Sequence, residues 1–311
     1  MRAMFSAPMM KSSASTADRP VAGDWVAVLT SDDLEVPLIE AVLERASAIM
    51  RGDPGKTEIQ VLAANIDTVF VIHPIVEPPN LRRIERELSL AWDSGATPVV
   101  VLTKADLSVE PDAARAAVES VAPDTDVLII NALAGDSARQ LLKYISVHRT
   151  AVLVGPSGAG KSTLINVLLG EKRQDTREVR VSDGRGRHTT VSRELIQMPG
   201  GGMLIDTPGL RSLGLIGSEE GISSAFQDIQ QLAASCRFRD CSHKEEPGCA
   251  VLAAIESGAL PAERLASYHK LMHESQDVAT KKTVHIREEE ARKSKISQQA
   301  ARDHRKRPDR R

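Results

Sequence analysis

The stretch GPSGAGKST (residues 155–163) combines residue types suited to one task, holding a polyphosphate. Its glycines let the backbone curl until N–H groups and the start of the next helix face an anion. Gly155, Pro156, Ser157, Gly158, Ala159, Gly160, Lys161, Ser162 and Thr163 are therefore expected to line a nucleotide. Lys161 should reach the β- and γ-phosphates, and Ser162 should offer its hydroxyl to Mg²⁺. The context suits this motif, because AVLV before it reads as a strand and STLINVLLG after it as a helix. Further on, LIDTPG (204–209) supplies Asp206 for the Mg²⁺ shell and a Gly209 N–H for the γ-phosphate. Between them, GRGRHTT (184–190) has the glycines and charges of a moving segment. Thr189, with Thr190 as the alternative, is placed there to close over Mg²⁺ when a γ-phosphate is present.

The phosphate loop does not say which base is bound. PVVVLTKADL (98–107) ends in Thr103-Lys104-Ala105-Asp106, close to the Asn-Lys-x-Asp element that reads guanine. Asp106 can accept two hydrogen bonds from the guanine N1–H and exocyclic amine, which adenine cannot supply. Lys104 can lie along the base and brace the phosphate loop. Thr103 stands where Asn is usual, which puts one amide contact in question. Asn131-Ala132, after the apolar run of LIINALAG (128–135), offers a backbone N–H to the guanine O6. The order is reversed from the usual one, since the base reader precedes the phosphate loop by about fifty residues. In doubly wound sheets, ligand groups gather at the carboxyl ends of the strands whichever strand comes first. A rotated chain order thus keeps the site and moves only the termini.

A second chemistry is written in Cys236-x4-Cys241-x-His243-x5-Cys249, which uses all three cysteines of the chain. Three thiolates and one imidazole complete a tetrahedral Zn²⁺ shell with no open position, the mark of a structural ion. One Zn²⁺ per chain is expected. Such cysteines make no disulfide framework and fit a reducing compartment.

The elements that must position these groups follow from composition and rhythm. The 311 residues are 41% hydrophobic, 26% charged and 3% aromatic, with a net charge of −2. That is the profile of a soluble, cytoplasmic chain of two or three domains. No apolar run is long enough to span a membrane and no signal peptide is evident, so no membrane partner is expected and a monomer is anticipated. Strands are read at 21–29 and 37–44, and a loop at 51–58. From residue 68, short buried strands alternate with helices at 79–94, 110–121 and 136–147. Uninterrupted Val/Ile/Leu strands of this kind are buried on both faces and joined by parallel crossovers. The expected organisation is disorder over 1–20, a partial β domain over 21–66, the α/β nucleotide domain over 67–215, a helical zinc-binding domain over 216–280, and a basic tail. Residues 281–311 carry 12 Lys/Arg and 5 Asp/Glu, a local net of +7, which leaves −9 elsewhere. The tail reads equally as a solvated extension or an RNA-facing one.

With VAGDWVAV, QVLAANIDTVFVI, GPSGAGKSTLINVLLG, GRGRHTT, DTPGL and CRFRDCSHKEEPGCAV in this order, the chain resembles the ribosome small subunit-dependent, circularly permuted GTPases of the RsgA family. The resemblance spans about residues 21–275. It implies an N-terminal OB-like domain, a permuted P-loop GTPase domain and a C-terminal zinc domain. It also implies binding of GTP and GDP, and GTP hydrolysis stimulated by the small ribosomal subunit and its rRNA. Five strands of ~5–6 residues hardly fit before residue 65, so the barrel should be incomplete, rebuilt or shortened at its start. The water-orienting Gln that many GTPases carry after this turn is replaced by Leu210, which has no hydrogen-bonding group. His188 is the candidate within the chain for aligning the nucleophile. The competing readings are a permuted GTPase of the large subunit, a non-hydrolysing RNA-binding module, and an ATPase or small-molecule kinase.

Overall fold

The structure is a computed structural model of the chain and describes residues 3–6, 19–31, 36–52, 59–132, 134–171, 194–206, 218–277 and 280. Five short strands precede residue 65 among these: β1 (Met4–Phe5), β2 (Val26–Leu29), β3 (Leu38–Val42), β4 (Ala48–Gly52) and β5 (Ile59–Ala64). They form a three-stranded sheet ordered β1-β3-β2 and a separate β4–β5 hairpin. Two expectations are corrected here. Residues 1–20 were expected to be disordered, yet Met4 and Phe5 pair in parallel with Leu38 and Ile39. The expected partial β domain holds: the five strands are only 2 to 6 residues long and form a three-stranded sheet and a hairpin. The loop expected over 51–58 also yields Arg51 and Gly52 to β4.

The central sheet is built from β6 (Thr68–Pro74), β7 (Thr97–Thr103), β8 (Asp126–Ile130), β9 (Thr150–Val154), β10 (Glu194–Gln197) and β11 (Met203–Asp206). Its order is β10-β11-β9-β6-β7-β8, parallel except for the edge strand β10. The chain therefore enters at β6, lays β7 and β8 to one side, then crosses to β9 and β11 on the other. That reversal makes a crevice at the carboxyl ends of β9, β6 and β7, where doubly wound sheets bind ligands.

Strand periodicity divides the core between the two faces. On one, Phe70, Ile72, Val99, Val101 and Leu153 meet Leu164, Ile165 and Leu168 of α4 (Lys161–Leu169). On the other, Val69, Val71, Val100, Leu102 and Val152 share one cluster with Ile49 and Leu62 of the N-terminal strands. The same cluster holds Ile84 and Leu88 of α1 (Leu81–Asp93), whose first turn is capped by the Asn80 side chain. Two further helices, α2 (Pro111–Glu119) and α3 (Gly135–Arg139), link β7 to β8 and β8 to β9. The helix expected over 136–147 is in fact α3 followed by a 3₁₀ segment, Gln140–Tyr144.

The C-terminal part, α5 (Glu219–Ala225), α6 (Gln227–Ala233), α7 (Ala250–Glu256) and a helical stretch at 262–277, packs onto α1. Helix α5 crosses α1 so closely that a Cβ on Gly221 would lie 2.5 Å from the Ser89 carbonyl oxygen. Arg264, 2% exposed, donates to Glu85 Oε1 on α1 at 2.8 Å, to both Asp228 oxygens on α6, and to the Val121 and Ala225 carbonyls. Ser267 donates to the other Glu85 oxygen. A buried ion pair is tolerated only when its remaining hydrogen-bonding capacity is met in this way. Among the described residues no helix is long and apolar enough to cross a membrane.

Candidate functional site

The carboxyl ends of the parallel strands carry the residues that the sequence singled out. The phosphate loop follows β9 and opens α4, with Gly160 at φ 91° as the residue before the helix. Gly155, at φ 142°, passes over the central strand so closely that a Cβ would sit 2.1 Å from the Ile72 carbonyl oxygen. No other residue type fits there. Lys161 Nζ donates to the carbonyls of Gly155 and Pro156, each at 2.7 Å, so the ammonium lies within the loop itself. Ser162 and Thr163 are half-buried in the first turn of α4.

The segment after β7 sits across β6 from that loop. Thr103 is 1% exposed, and its Oγ1 donates to the Ala159 carbonyl at 2.7 Å, with the His73 carbonyl 3.3 Å away. Lys104 has a left-handed backbone, φ 60° and ψ 38°, uncommon for a residue with a Cβ and frequent at functional turns. A 3₁₀ turn over Ala105–Leu107 follows and leaves Asp106 exposed at the same edge. Asn131 and Ala132 follow β8, and Asp206 is the last residue of β11. The structure thus brings residues 103–106, 131–132, 155–163 and 206 to one edge of one sheet. His188, Thr189, Gly209 and Leu210 lie outside the described residues, as does the basic tail.

In the C-terminal part, Cys236, Cys241, His243 and Cys249 gather with their ligand atoms all within 4.8 Å of one another. His243 Nδ1 is 3.6 Å from Cys236 Sγ and 3.4 Å from Cys249 Sγ. The Ala250 N–H points at Cys236 Sγ (3.3 Å) and the Leu252 N–H at Cys249 Sγ (3.5 Å). Burial pushes the Cys236 thiol up, but N–H donation from Ala250 and Val251, aided by the neighbouring thiols, outweighs it and leaves the group lowered. Desolvation, with the Cys249 and Cys236 thiols close by, drives Cys241 up to about 11 against the pull of the His243 N–H. Burial, then the His269 charge, lowers His243, which favours a neutral imidazole. Three crowded thiols and a neutral imidazole are a donor set that a divalent cation resolves, since it deprotonates the thiols it binds. The residues fit a metal ion. The loop that carries them is held by Glu246, whose carboxylate accepts from the Ser242 hydroxyl and from the N–H groups of Ser242, Lys244 and Glu245.

A family model described as RsgA GTPase matches residues 42–216. The chain belongs to the RsgA GTPase family. As a member of that family it binds GTP and hydrolyses it, on a circularly permuted α/β fold. It is 49% identical over 271 residues, 86% of this chain and 73% of the relative, to the "Small ribosomal subunit biogenesis GTPase RsgA" of Streptomyces coelicolor. A protein of the same name from Methanosarcina acetivorans is 42% identical over 257 residues, 82% of this chain and 70% of the relative. The crystal structure of YjeQ from Thermotoga maritima superposes with a TM-score of 0.64 at 25% identity, covering 88% of this chain and 89% of that one. YloQ, described as a circularly permuted GTPase, gives a TM-score of 0.57 at 26% identity, covering 83% and 82%.

Around this RsgA-family site, the structure adds residues that sequence reasoning missed. Ser137 on α3 is hydrogen-bonded to both the N–H (3.1 Å) and the carbonyl (2.7 Å) of Asn131 and so fixes the second base loop. On β6, His73 Nε2 lies 2.7 Å from Glu87 Oε2 of α1, both buried, directly beneath the Thr103 contact. Neither has a motif to announce it. Ser137 carried one weak signal, its position in the turn that begins the helix after a strand.

Proposed function

We propose that this chain is a GTPase of small ribosomal subunit biogenesis, which binds the subunit through its rRNA and hydrolyses GTP when that contact stimulates it. The observation that carries this reading is the convergence of base reader, second base loop, phosphate loop and Asp206 on one sheet edge in rotated order. The names of its relatives, among them a small ribosomal subunit biogenesis GTPase 49% identical to it, support it. Asp106 takes the guanine N1–H and amine, Lys104 lies along the base, and the Ala132 N–H meets O6. Loop residues 155–163 wrap the phosphates, and Lys161 leaves the Gly155 and Pro156 carbonyls to reach the β- and γ-oxygens. Mg²⁺, bound with GTP by Ser162 and Asp206, would neutralise charge developing on the transferred phosphoryl group. The Gly209 N–H and Thr189 close on the γ-phosphate side. The four-residue cluster holds one structural Zn²⁺. Beyond residue 20 the domain division is the one read from the sequence, with Met4–Phe5 joining the N-terminal β part, and the chain works as a cytoplasmic monomer.

Leu210 cannot orient water, so free turnover is slow and His188 aligns the nucleophile when the subunit engages residues 184–190. The test is the GTP hydrolysis rate with small subunits, with large subunits and with neither. Small subunits alone should accelerate it. His188→Ala should keep GTP affinity and lose roughly 10²–10⁴-fold of the stimulated rate, the range of a positioned acid–base group. Acceleration by large subunits alone would refute the assignment.

A further inference from the structure

β8 is the outer strand of the central sheet, and its pairing with β7 ends at Ile130, opposite Thr103. Asn131 is the first residue past that ladder, so its backbone groups must find partners elsewhere. The Ser137 hydroxyl supplies one for each. Its oxygen accepts the Asn131 N–H at 3.1 Å and donates its single proton to the Asn131 carbonyl at 2.7 Å, with the Ala134 carbonyl a longer alternative at 3.0 Å. The Ala134 N–H gives the Asn131 carbonyl a further bond, at 3.1 Å. Ser137 is itself held in place, because the next residue of α3, Ala138, is 0% exposed and shares a core cluster with Phe70 and Ile72.

The geometry of the peptide group turns this clamp into an aim. A peptide is planar and trans, so its carbonyl and its N–H point in opposite directions. The Asn131 carbonyl and the Ala132 N–H belong to one such group. With the carbonyl held towards α3, the N–H is directed away from that helix. A carbonyl that accepts hydrogen bonds also polarises its peptide, which makes the N–H a stronger donor. We propose that Ser137 is a positioning residue that aims the Ala132 N–H at the purine O6, so that selection of a 6-oxo purine depends on a hydroxyl that never touches the base. The inference rests on the reading that the Ala132 N–H meets O6. Asp106 reads the N1–H and the amine through a different strand end, so the two contacts can be probed separately by changing the ligand.

The experiment is competition by GTP, 6-thio-GTP, ITP and ATP against a ribose-labelled fluorescent GDP, on the full-length chain. Sulfur at position 6 keeps the N1–H and the amine but is a poorer acceptor than oxygen. Wild type should prefer GTP to 6-thio-GTP by roughly two- to tenfold, the span of one neutral hydrogen bond, and reject ATP. Ser137→Ala should weaken GTP by about that factor, and its preference for GTP over 6-thio-GTP should shrink towards none. The preference for GTP over ITP, which lacks the amine that Asp106 takes, should not move. Ser137→Thr keeps the hydroxyl and should keep the wild-type preference. A Ser137→Ala protein that retains the full preference for GTP over 6-thio-GTP would overturn the proposal. So would an equal loss for GTP, 6-thio-GTP and ITP, which marks a loop that is only loosened, or a threonine variant that behaves like alanine. Equal binding of GTP and 6-thio-GTP by wild type would remove the Ala132 contact with O6, and the proposal with it. GTP competing no better than ATP would instead strike the guanine reading on which both stand.

Discussion

The nucleotide edge and the Cys/His cluster solve the problem of holding a charged ligand in opposite ways. The first draws on residues 103 to 206, far apart in sequence, and relies on backbone: positive φ at Gly155, Gly158, Gly160 and Lys104, set on the ends of fully buried strands. The second draws on four side chains within residues 236–249, on a short loop between α6 and α7. The sheet keeps its shape without the ligand because its strands are buried on both faces. The loop has few apolar contacts of its own, and crowded thiols need a cation. The first site is preformed by the fold, and the second is one that a metal ion would complete.

Removing the metal should give the largest effect and the clearest separation of the two regions. Structural zinc contributes about 10–16 kcal/mol of apparent binding energy in small domains. Metal analysis should find close to one Zn²⁺ per chain, and Cys241→Ser should lower it sharply. Hydrogen exchange over residues 236–249 should rise towards unprotected values, with GTP affinity held within a few-fold. A matching collapse of GTP binding would show that the regions are coupled through α1, with Arg264 and Glu85 as the route.

Next in size is Asp106→Asn. Hydrogen bonds to a charged group are worth about 1.5–3 kcal/mol each. Losing two should weaken GTP roughly 10²–10⁴-fold, and xanthosine triphosphate should become the better ligand, since the exchanged amide matches its altered edge. Titration of both nucleotides measures it. Zinc content should not change.

The seam between the regions is tested by Gly221→Ala. A new Cβ would lie 2.5 Å from the Ser89 oxygen and 2.6 Å from Asp93 Cβ, so α5 must move off α1. Overpacking of this kind costs about 1–3 kcal/mol. The expected outcome is a lowered melting temperature with GTP affinity and zinc content both near wild type. A wild-type melting temperature would mean the contact yields without strain.

What the sequence made legible follows the same division. Val/Ile/Leu runs announce β6, β7 and β9 because a strand buried on both faces has no polar position to spare. The cluster is readable because its ligands are close in sequence and their spacing is itself the geometry. The rotated order could be read because each motif sits at the end of such a strand. Met4–Phe5 could not, because two residues carry no periodicity and their strand exists only through pairing with Leu38–Ile39. Arg264 looked like one of many helical arginines. Its burial depends on Glu85 and Asp228, which lie 179 and 36 residues away in sequence. Thr103 looked like a lost contact, and only the fold reveals the carbonyl it faces.

The smallest expected effect lies on the cluster side, at Glu246. Its carboxylate accepts the Ser242 hydroxyl first, then N–H groups of Lys244 and Ser242, and these bonds hold its pKa well below the ordinary glutamate value near 4.3. A depressed carboxyl favours the folded loop above that ordinary value, and the contribution is lost as pH falls through the lowered one. At neutral pH it is therefore fully present. Ser242 sits between two members of the Cys/His cluster, Cys241 and His243, and His243 itself has φ 58°, so the turn that Glu246 pins decides where the imidazole points. Outer residues that orient ligands typically contribute about 10–100-fold in metal affinity. Glu246 is half-buried and touches the ligands only through the backbone, so Glu246→Ala should fall near the lower end, about tenfold, in a chelator competition at neutral pH. GTP affinity should stay at wild type, because among the described residues no hydrogen bond or ion pair joins the loop to the sheet edge. A zinc affinity equal to wild type would mean that the four ligands and the N–H groups of Ala250 and Leu252 set the geometry alone, leaving the loop as a passive connection.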